Sequence, residues 1–126
     1  MKHKYFSITT RNVSVLADFY KTVLWIDSIG MSDLENYVEL NIDSFVVCIE
    51  SIASVEKRSR SSFVAGAILI EFEVSAVDVE YARLKEIGIE PLSEPFDNPW
   101  GDEDFYFHDP DGNLICFYTN GKDNIF

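Results

Sequence analysis

Acidic and aromatic side chains are the residues of this chain whose types and spacing can do chemistry. Alternation along strand-like segments places four glutamates on the less apolar side of their strands: Glu39, Glu50, Glu71 and Glu73. Four more acids surround Pro99-Trp100-Gly101: Asp97, Asp102, Glu103 and Asp104. An acidic groove flanked by aromatic rings attracts and stacks flat cations, and each cation–π contact contributes roughly 0.5–2 kcal/mol. The alternative interpretation is structural: each glutamate is a solvated strand residue, and Trp100 packs within its loop.

Two cysteines and two histidines are the other candidates for chemistry. Cys48 and Cys116 lie far apart in the sequence and do not form a disulfide framework. A buried cysteine behaves as a small hydrophobic residue, and we favour that interpretation over a zinc or copper site. His3 lies near a terminus and His108 precedes a turn. Neither has a second potential ligand at the sequence spacing that metal sites use, so we expect both to be surface residues.

The elements that must position these side chains begin with an alternating segment, Tyr5 to Thr9. Asn12 can then cap a helix whose apolar residues recur at helical spacing between Val13 and Leu24. Strand-like segments follow around residues 27–31, 37–42 and 45–50, and Asp43-Ser44 is a tight connection between the last two.

The second half of the chain repeats this order. Alternation over Ile68 to Val74 is followed by a helix that Ser75 or Asp78 starts and Gly88 stops. Strand-like segments then lie around residues 90–94, 104–108 and 113–119. The order β-α-β-β-β, present twice, predicts an α+β fold of two βαβββ modules in one domain of 126 residues. Module one covers about residues 1–53, a polar linker about 54–62 and module two about 63–126.

The most specific stretch of sequence runs from Pro99 to Tyr118 and predicts a hairpin. At its turn, Asp109-Pro110-Asp111-Gly112-Asn113, the proline fixes φ, the glycine supplies a positive φ, and the Asp109 side chain can bond the turn backbone. Pro-Trp-Gly, an aromatic strand and then Asp-Pro-Asp-Gly-Asn resemble the closing hairpin of the vicinal oxygen chelate superfamily. That superfamily includes glyoxalase I, extradiol dioxygenases, and the fosfomycin and bleomycin resistance proteins.

The resemblance covers nearly the whole chain and implies that curved mixed sheets surround a shared cleft. Metal-dependent members carry His, Gln or Glu at four cleft positions, which correspond here to Tyr5, Cys48, Leu69 and Cys116. None of these is the expected ligand, and leucine has no donor atom. We therefore predict no bound metal and no other cofactor, which disfavours the metal-dependent lyase and dioxygenase activities.

Trp25 is a departure from the superfamily pattern. It occupies the position at which these proteins usually carry a glycine after the first helix. Because tryptophan adopts a positive φ only at a cost, we expect the helix to end differently, with Trp25 packed in the core or in a dimer interface.

Within the superfamily, the chain is most similar to the bleomycin-resistance type, which comprises small acidic metal-free dimers that sequester a cationic drug. Trp100 corresponds to the tryptophan that stacks on that drug. We predict a metal-free protein that captures a cationic or aromatic small molecule, without an assigned catalytic residue. Its predicted ligand-binding residues are Tyr5, Ser7, Glu39, Cys48, Glu50, Leu69, Glu71, Trp100, Cys116 and Tyr118.

Two alternatives remain at this stage. One is an enzyme, either a lyase or dioxygenase with an atypical metal site or one that uses Glu71 and Tyr5 as acid–base groups. The other is a domain that binds another protein through an apolar face. The aromatic content of 14% is compatible with such a face and does not identify a partner.

The charge balance limits the possible partners further. The chain has 22 acidic and 10 basic residues, and its net charge of −12 repels the phosphate backbone of nucleic acids. No apolar run approaches membrane-spanning length, and we expect no signal peptide from Met1-Lys2-His3-Lys4. We expect a cytoplasmic protein and, chiefly from the resemblance, a homodimer that covers exposed sheet edges.

Overall fold

A mixed four-stranded sheet organises each of two compact units, Met1–Gly66 and Ala67–Phe126. The structure is a computed structural model that describes residues 6–26, 29–33, 36–42, 45–60, 68–99 and 101–119. Both units follow the predicted order of strand, helix and three strands. The predicted α+β fold class is therefore confirmed.

The sheet of the first unit has the strand order β1-β4-β3-β2. Its strands are β1 (Phe6–Thr10), β2 (Ile29–Asp33), β3 (Tyr37–Ile42) and β4 (Phe45–Ser51), and α1 (Val13–Leu24) follows β1. Strands β1 and β4 are parallel, whereas the other pairs are antiparallel. Helix α1 contacts β3 and β4, and the buried core comprises Ile8, Val38, Leu40 and Ile49 of the sheet with Val13, Leu16, Tyr20 and Val23 of the helix.

Both ends of α1 are explained by side-chain and backbone geometry. The Asn12 side chain accepts a hydrogen bond from Val15 N at 3.2 Å, which confirms the predicted cap. At the other end Trp25 itself has a φ of 56°, in the left-handed region that a glycine usually occupies. The expected different helix end was wrong, because the helix ends through this left-handed residue. Trp25 is 74% exposed in its own chain and is therefore not packed in the core, whereas its place in a dimer interface stays a prediction.

A second helix, α2 (Ile52–Ser59), overlaps the stretch of about residues 54–62 for which the sequence predicted only a polar linker. Its N-cap is Ser51, whose hydroxyl accepts a hydrogen bond from Ser54 N at 3.1 Å. Ile52 is the one buried residue of α2. With a single apolar anchor, the segment lacks the helical periodicity that would have revealed it.

The sheet of the second unit has the strand order β5-β8-β7-β6. Its strands are β5 (Leu69–Glu73), β6 (Phe96–Asp97), β7 (Glu103–His108) and β8 (Leu114–Thr119), and α3 (Val77–Glu86) follows β5. Strand β5 is parallel to β8, as β1 is to β4. Helix α3 contacts β7 and β8 and buries Val77 and Leu84 in a core that also contains Phe105, Phe107, Ile115 and Phe117.

The boundaries of α3 agree only in part with the prediction. Gly88 has a φ of 90° directly after the helix, as predicted. Neither Ser75 nor Asp78 caps the other end, because Ala76 is the N-cap residue and no side-chain bond caps the helix. Asp78 lies in the first turn, where its negative charge interacts favourably with the partial positive charge of the helix N-terminus.

The strand predicted around residues 90–94 is wrong. The third strand of this unit is the two-residue β6, which pairs with Glu103 and Asp104 of β7. Pro91 and Pro95 explain the difference, because neither has the backbone N–H that a sheet ladder requires. Leu92, between them, donates one isolated backbone hydrogen bond to Tyr106 O at 2.9 Å.

The turn between β7 and β8 has the predicted chemistry. Oδ1 of the buried Asp109 accepts hydrogen bonds from Asp111 N and Asn113 N, each at 2.9 Å. Its Oδ2 accepts a third hydrogen bond from Asn113 Nδ2 at 2.7 Å, and Gly112 has a φ of 88°.

None of the helices in the described part of the chain is both long enough and apolar enough to cross a membrane.

Candidate functional site

The face of the first sheet opposite α1 carries two rows of polar side chains. Ser7 pairs in register with Cys48, and Cys48 with Glu39; in the next row Thr9 pairs with Glu50, and Glu50 with Tyr37. Side chains of residues in register share a face of the sheet. We call these residues the first polar face: Ser7, Thr9, Tyr37, Glu39, Cys48 and Glu50.

Three side chains of the first polar face form a chain of hydrogen bonds. The Tyr37 hydroxyl donates to Glu39 Oε2 at 2.7 Å and lies 3.2 Å from Cys48 Sγ. Because a phenol has a single proton, the thiol is the donor in the second contact. Burial, together with the bonds to Cys48 and Glu39, raises the pKa of Tyr37. The phenol therefore stays neutral at physiological pH.

Glu50 forms an ion pair with a residue of helix α2. Arg58, in the last turn of α2, donates from Nη1 to Oε1 at 3.2 Å and from Nη2 to Oε2 at 3.0 Å. The pairing is bidentate, and it raises the pKa of Arg58. Glu50 was predicted as a ligand carboxylate, and here a cation from the same chain occupies it.

The second sheet presents an equivalent surface opposite α3. Glu71, Cys116 and Tyr106 form one row in register, and Glu73, Tyr118 and Asp104 form the next. A third row joins Leu69, Leu114 and His108. We call these residues the second polar face: Leu69, Glu71, Glu73, Asp104, Tyr106, His108, Leu114, Cys116 and Tyr118.

On the strand that pairs with the cysteine, the two faces carry the same two groups, a tyrosine and an acid, in exchanged order. In the first, an acid (Glu39) lies opposite the cysteine, and a tyrosine (Tyr37) precedes it by two residues. In the second, a tyrosine (Tyr106) lies opposite the cysteine, and an acid (Asp104) precedes it by two residues. Residues i and i+2 share a face of a strand, so the exchange preserves the polar pattern.

Burial and negative charge raise the pKa of the thiol and of both phenols of the second polar face. Burial raises the pKa of Cys116 to about 11, and the charges of Asp104 and Glu71 act in the same direction, while the bond from Tyr106 opposes them. Burial and the bond to Cys116 raise the pKa of Tyr106 to about 12. Burial and then Glu73 also raise the pKa of Tyr118.

We expect Cys116 to react about a hundredfold more slowly with iodoacetamide at pH 8 than an unperturbed thiol, because the thiolate is the nucleophile. The pKa of about 11 replaces a reference value of 9.0, so the thiolate fraction falls in that proportion. The measurement is the alkylation rate of a Cys48→Ala variant against pH, folded and in urea. The rate of the folded protein should rise with a midpoint near 11.

Burial without a shifted pKa would slow the same reaction equally at every pH, and a midpoint near 9 would contradict the prediction. Asp104→Asn is the matched variant, because it removes one negative charge beside the sulfur without changing the size of the side chain. Its midpoint should lie below that of the parent.

A groove of about 610 Å³ opens beside Asp104 and Tyr106 of the second polar face. The loop before β7 forms its other side, and the groove is lined by Ser93, Glu94, Pro95, Phe96, Asn98, Asp104 and Tyr106. Asn98 Nδ2 donates to Asp104 Oδ2 at 3.0 Å, which fixes the carboxylate, and the Phe96 ring is 60% exposed. Two carboxylates and two aromatic rings thus line one hollow of ligand size.

The structure distributes the predicted ligand residues between the two faces. The first polar face holds Ser7, Glu39, Cys48 and Glu50, and the second holds Leu69, Glu71, Cys116 and Tyr118. Tyr5 and Trp100 lie outside the described residues. The sequence reasoning did not assign Arg58, Phe96 or Tyr106 to the site. Alternation could have found Tyr106, which is two residues from Asp104.

The donor atoms do not fit a hard divalent ion at the positions that the resemblance assigns to a metal. Of the four corresponding positions, Leu69 has no donor, and Cys48 and Cys116 are thiols hydrogen-bonded to tyrosines. In the described part of the chain, no three His, Cys, Asp or Glu side chains are grouped so that they could hold one ion. Hard divalent ions require carboxylate, carbonyl or imidazole ligands.

The family of this chain follows from comparison with known proteins. Residues 2–117 match the family described as the Glyoxalase/Bleomycin resistance protein/Dioxygenase superfamily. The chain belongs to this superfamily, as the closing hairpin predicted.

Bleomycin resistance proteins are among its relatives in sequence. That of Geobacillus stearothermophilus is 40% identical over 62 residues, which are 48% of this chain and 47% of the relative. A bleomycin resistance protein of Staphylococcus aureus (strain MRSA252) matches to the same extent. The matched segment thus spans about half the length of these curated relatives.

Solved structures share the fold over nearly the whole chain. A glyoxalase/bleomycin resistance protein/dioxygenase from Nocardioides has a TM-score of 0.80 at 20% identity, covering 94% of this chain and 83% of that one. Lactoylglutathione lyase from Agrobacterium tumefaciens has a TM-score of 0.81 at 13% identity, covering 96% and 95%. At these identities the likeness shows the fold alone.

Proposed function

We propose that this protein captures a cationic, aromatic small molecule of the bleomycin type and holds it without turnover. The observation that carries the proposal is the groove of the second unit, where Glu94 and Asp104 lie beside the rings of Phe96 and Tyr106. Carboxylates attract a cation and aromatic faces stack on it, so the groove has the two groups that such a ligand requires.

The charge of the surroundings supports the same ligand class. Among the described residues, no lysine or arginine forms an ion pair with Glu94 or Asp104 of the groove, or with Glu71 or Glu73 of the second polar face. The net charge of −12 adds a long-range attraction that accelerates the encounter with a cation. Added salt screens both the attraction by the groove carboxylates and the long-range attraction by the net charge.

The sequence relatives direct the proposal towards bleomycin. The relatives at 40% identity are bleomycin resistance proteins. Trp100, between Asn98 of the groove and Gly101, is the residue we propose to stack on the ligand. The remaining proposed contacts are Tyr5, Ser7, Glu39, Cys48, Glu50, Leu69, Glu71, Cys116 and Tyr118.

Binding without a metal is a further part of the proposal, and it is supported by the donor set. Leucine at position 69 and hydrogen-bonded thiols at positions 48 and 116 are unsuited to the ions of the lyases and dioxygenases.

We also propose a homodimer, because Phe6 and Phe45 are 58% and 54% exposed on neighbouring strands of the first unit. The free thiols of both cysteines support a cytoplasmic location.

The test is a titration with metal-free bleomycin in the presence of EDTA, followed by tryptophan fluorescence. The chain has two tryptophans, so Trp100→Phe and Trp25→Phe form a matched pair. Trp100→Phe should remove the change in fluorescence and weaken binding by about threefold, because the smaller phenyl ring stacks less strongly on a cation than the indole does. Trp25→Phe, at an exposed helix end, should retain the change in fluorescence and the affinity of the wild type.

Three outcomes would contradict this proposal. The wild-type protein would show no binding at high micromolar bleomycin, or the two tryptophan variants would bind equally well. Alternatively, protein purified without chelator would contain a stoichiometric metal whose removal abolishes binding, which would restore the metal-dependent alternative.

A further inference from the structure

The ion pair of Glu50 and Arg58 has the bidentate geometry with which a carboxylate binds a guanidinium or amidinium ligand. Glu50 is buried on the first polar face, with a relative exposure of 7%. Two nitrogens of the Arg58 guanidinium each bond one of its carboxylate oxygens, at 3.2 and 3.0 Å. An amidinium or guanidinium group of a small molecule would use the same two parallel bonds.

The two partners differ in their exposure. The side chain of Glu50 is 9% exposed, whereas that of Arg58 is 63% exposed. The carboxylate depends on a cation, since burying it unpaired is costly. The guanidinium can be hydrated as soon as it leaves, so a cation arriving from solution can exchange with it.

Helix α2 allows Arg58 to leave without disturbing the core. Its one buried side chain, Ile52, lies in its first turn, whereas Arg58 lies in its last turn next to the exposed Lys57 and Ser59. Rotation of the Arg58 side chain away from Glu50 therefore removes no apolar side chain from the interior.

We propose that Arg58 is an internal competitor: its guanidinium occupies Glu50 in the free protein and must leave before a guanidinium- or amidinium-bearing ligand can bind this carboxylate. The inference rests on the proposed function, because it adds a control on access to one carboxylate of the proposed site. It names the ligand group that this carboxylate recognises, a planar cation with two parallel N–H donors.

The test compares the binding of benzamidine, a flat aromatic amidinium, to Arg58→Gln and to Lys57→Gln by calorimetry. Both variants lose one positive charge from the same turn of α2, but only the first exposes Glu50. Arg58→Gln should bind benzamidine about tenfold more tightly than the wild type, the effect of removing a charge-assisted competitor. Lys57→Gln should remain within about twofold. Adding Glu50→Gln to Arg58→Gln should abolish the gain.

A second measurement uses the wild-type protein and does not depend on the folding of any variant. A guanidinium held by a carboxylate rotates slowly and gives separate Nη resonances in NMR spectra. Those of Arg58 should merge as benzamidine saturates the protein. Equal benzamidine affinity of Arg58→Gln and Lys57→Gln, or Nη resonances that stay separate at saturation, would overturn the inference.

Bleomycin titrations of the same proteins separate this inference from the proposed function. Bleomycin binding by the wild type without a benzamidine gain in Arg58→Gln would contradict only the role of Arg58. A tenfold benzamidine gain without any bleomycin binding would support the exchange at Glu50 and contradict the proposed ligand.

Discussion

Replacing Asp109 by alanine is expected to lower the free energy of unfolding by about 3 kcal/mol. Asp109 is 4% exposed, and its carboxylate accepts three hydrogen bonds within the turn between β7 and β8. Two of the donors belong to Asn113, which is completely buried, so water cannot replace the lost acceptor there. The measurement is urea unfolding followed by circular dichroism.

Asp111→Ala is the matched control, because it removes a carboxylate from the same turn at an exposed position. Its effect should stay within about 0.5 kcal/mol. Asp109→Asn keeps one acceptor oxygen and should be intermediate. Equal losses for Asp109→Ala and Asp111→Ala would show that the turn depends on backbone conformation alone.

Truncating Phe117 to alanine is expected to cost about 4 kcal/mol, the largest effect of a single substitution that we predict. The ring is 2% exposed and lies edge-on to three others, with centroid distances of 5.1 Å to Phe107, 5.7 Å to Phe105 and 6.0 Å to Phe72. Alanine would remove these contacts and leave a cavity that the rigid neighbouring rings cannot fill.

Phe96→Ala is the same substitution at a 60% exposed position of the same unit and should cost about 0.5 kcal/mol. Phe117→Leu retains most of the apolar volume and should lose about 1.5 kcal/mol. Both measurements use urea unfolding at constant protein concentration. If Phe117→Ala fell within 1 kcal/mol of Phe96→Ala, the aromatic cluster would not be the core of this unit.

Local rules predicted most of this fold from the sequence. Alternation identified the strands apart from the one predicted around residues 90–94, Asn12 capped α1, and Gly88 adopted the left-handed conformation that it was predicted to supply. The rules failed where two of them competed. Trp25 is left-handed despite its side chain, because the bonds of the helix end and the burial of the following Ile26 outweigh a local preference.

The candidate site was less predictable because alternation assigns a face and not a contact. It placed Glu39 and Cys48 together, but the hydroxyl of Tyr37 that joins them depends on side-chain geometry. Arg58 was missed for a different reason. It reaches Glu50 only because α2 folds back beside β4, and that helix has too few apolar residues to be predicted.

The exchange of tyrosine and acid between the two sheets has a consequence for how such a chain can diversify after duplication. Swapping the tyrosine and the acid of positions 37 and 39 would give the strand opposite Cys48 the order found opposite Cys116, with no strand shifted and no ladder bond lost. One ancestral backbone can thus present permuted sets of the same groups, and new specificities become accessible through paired substitutions two residues apart.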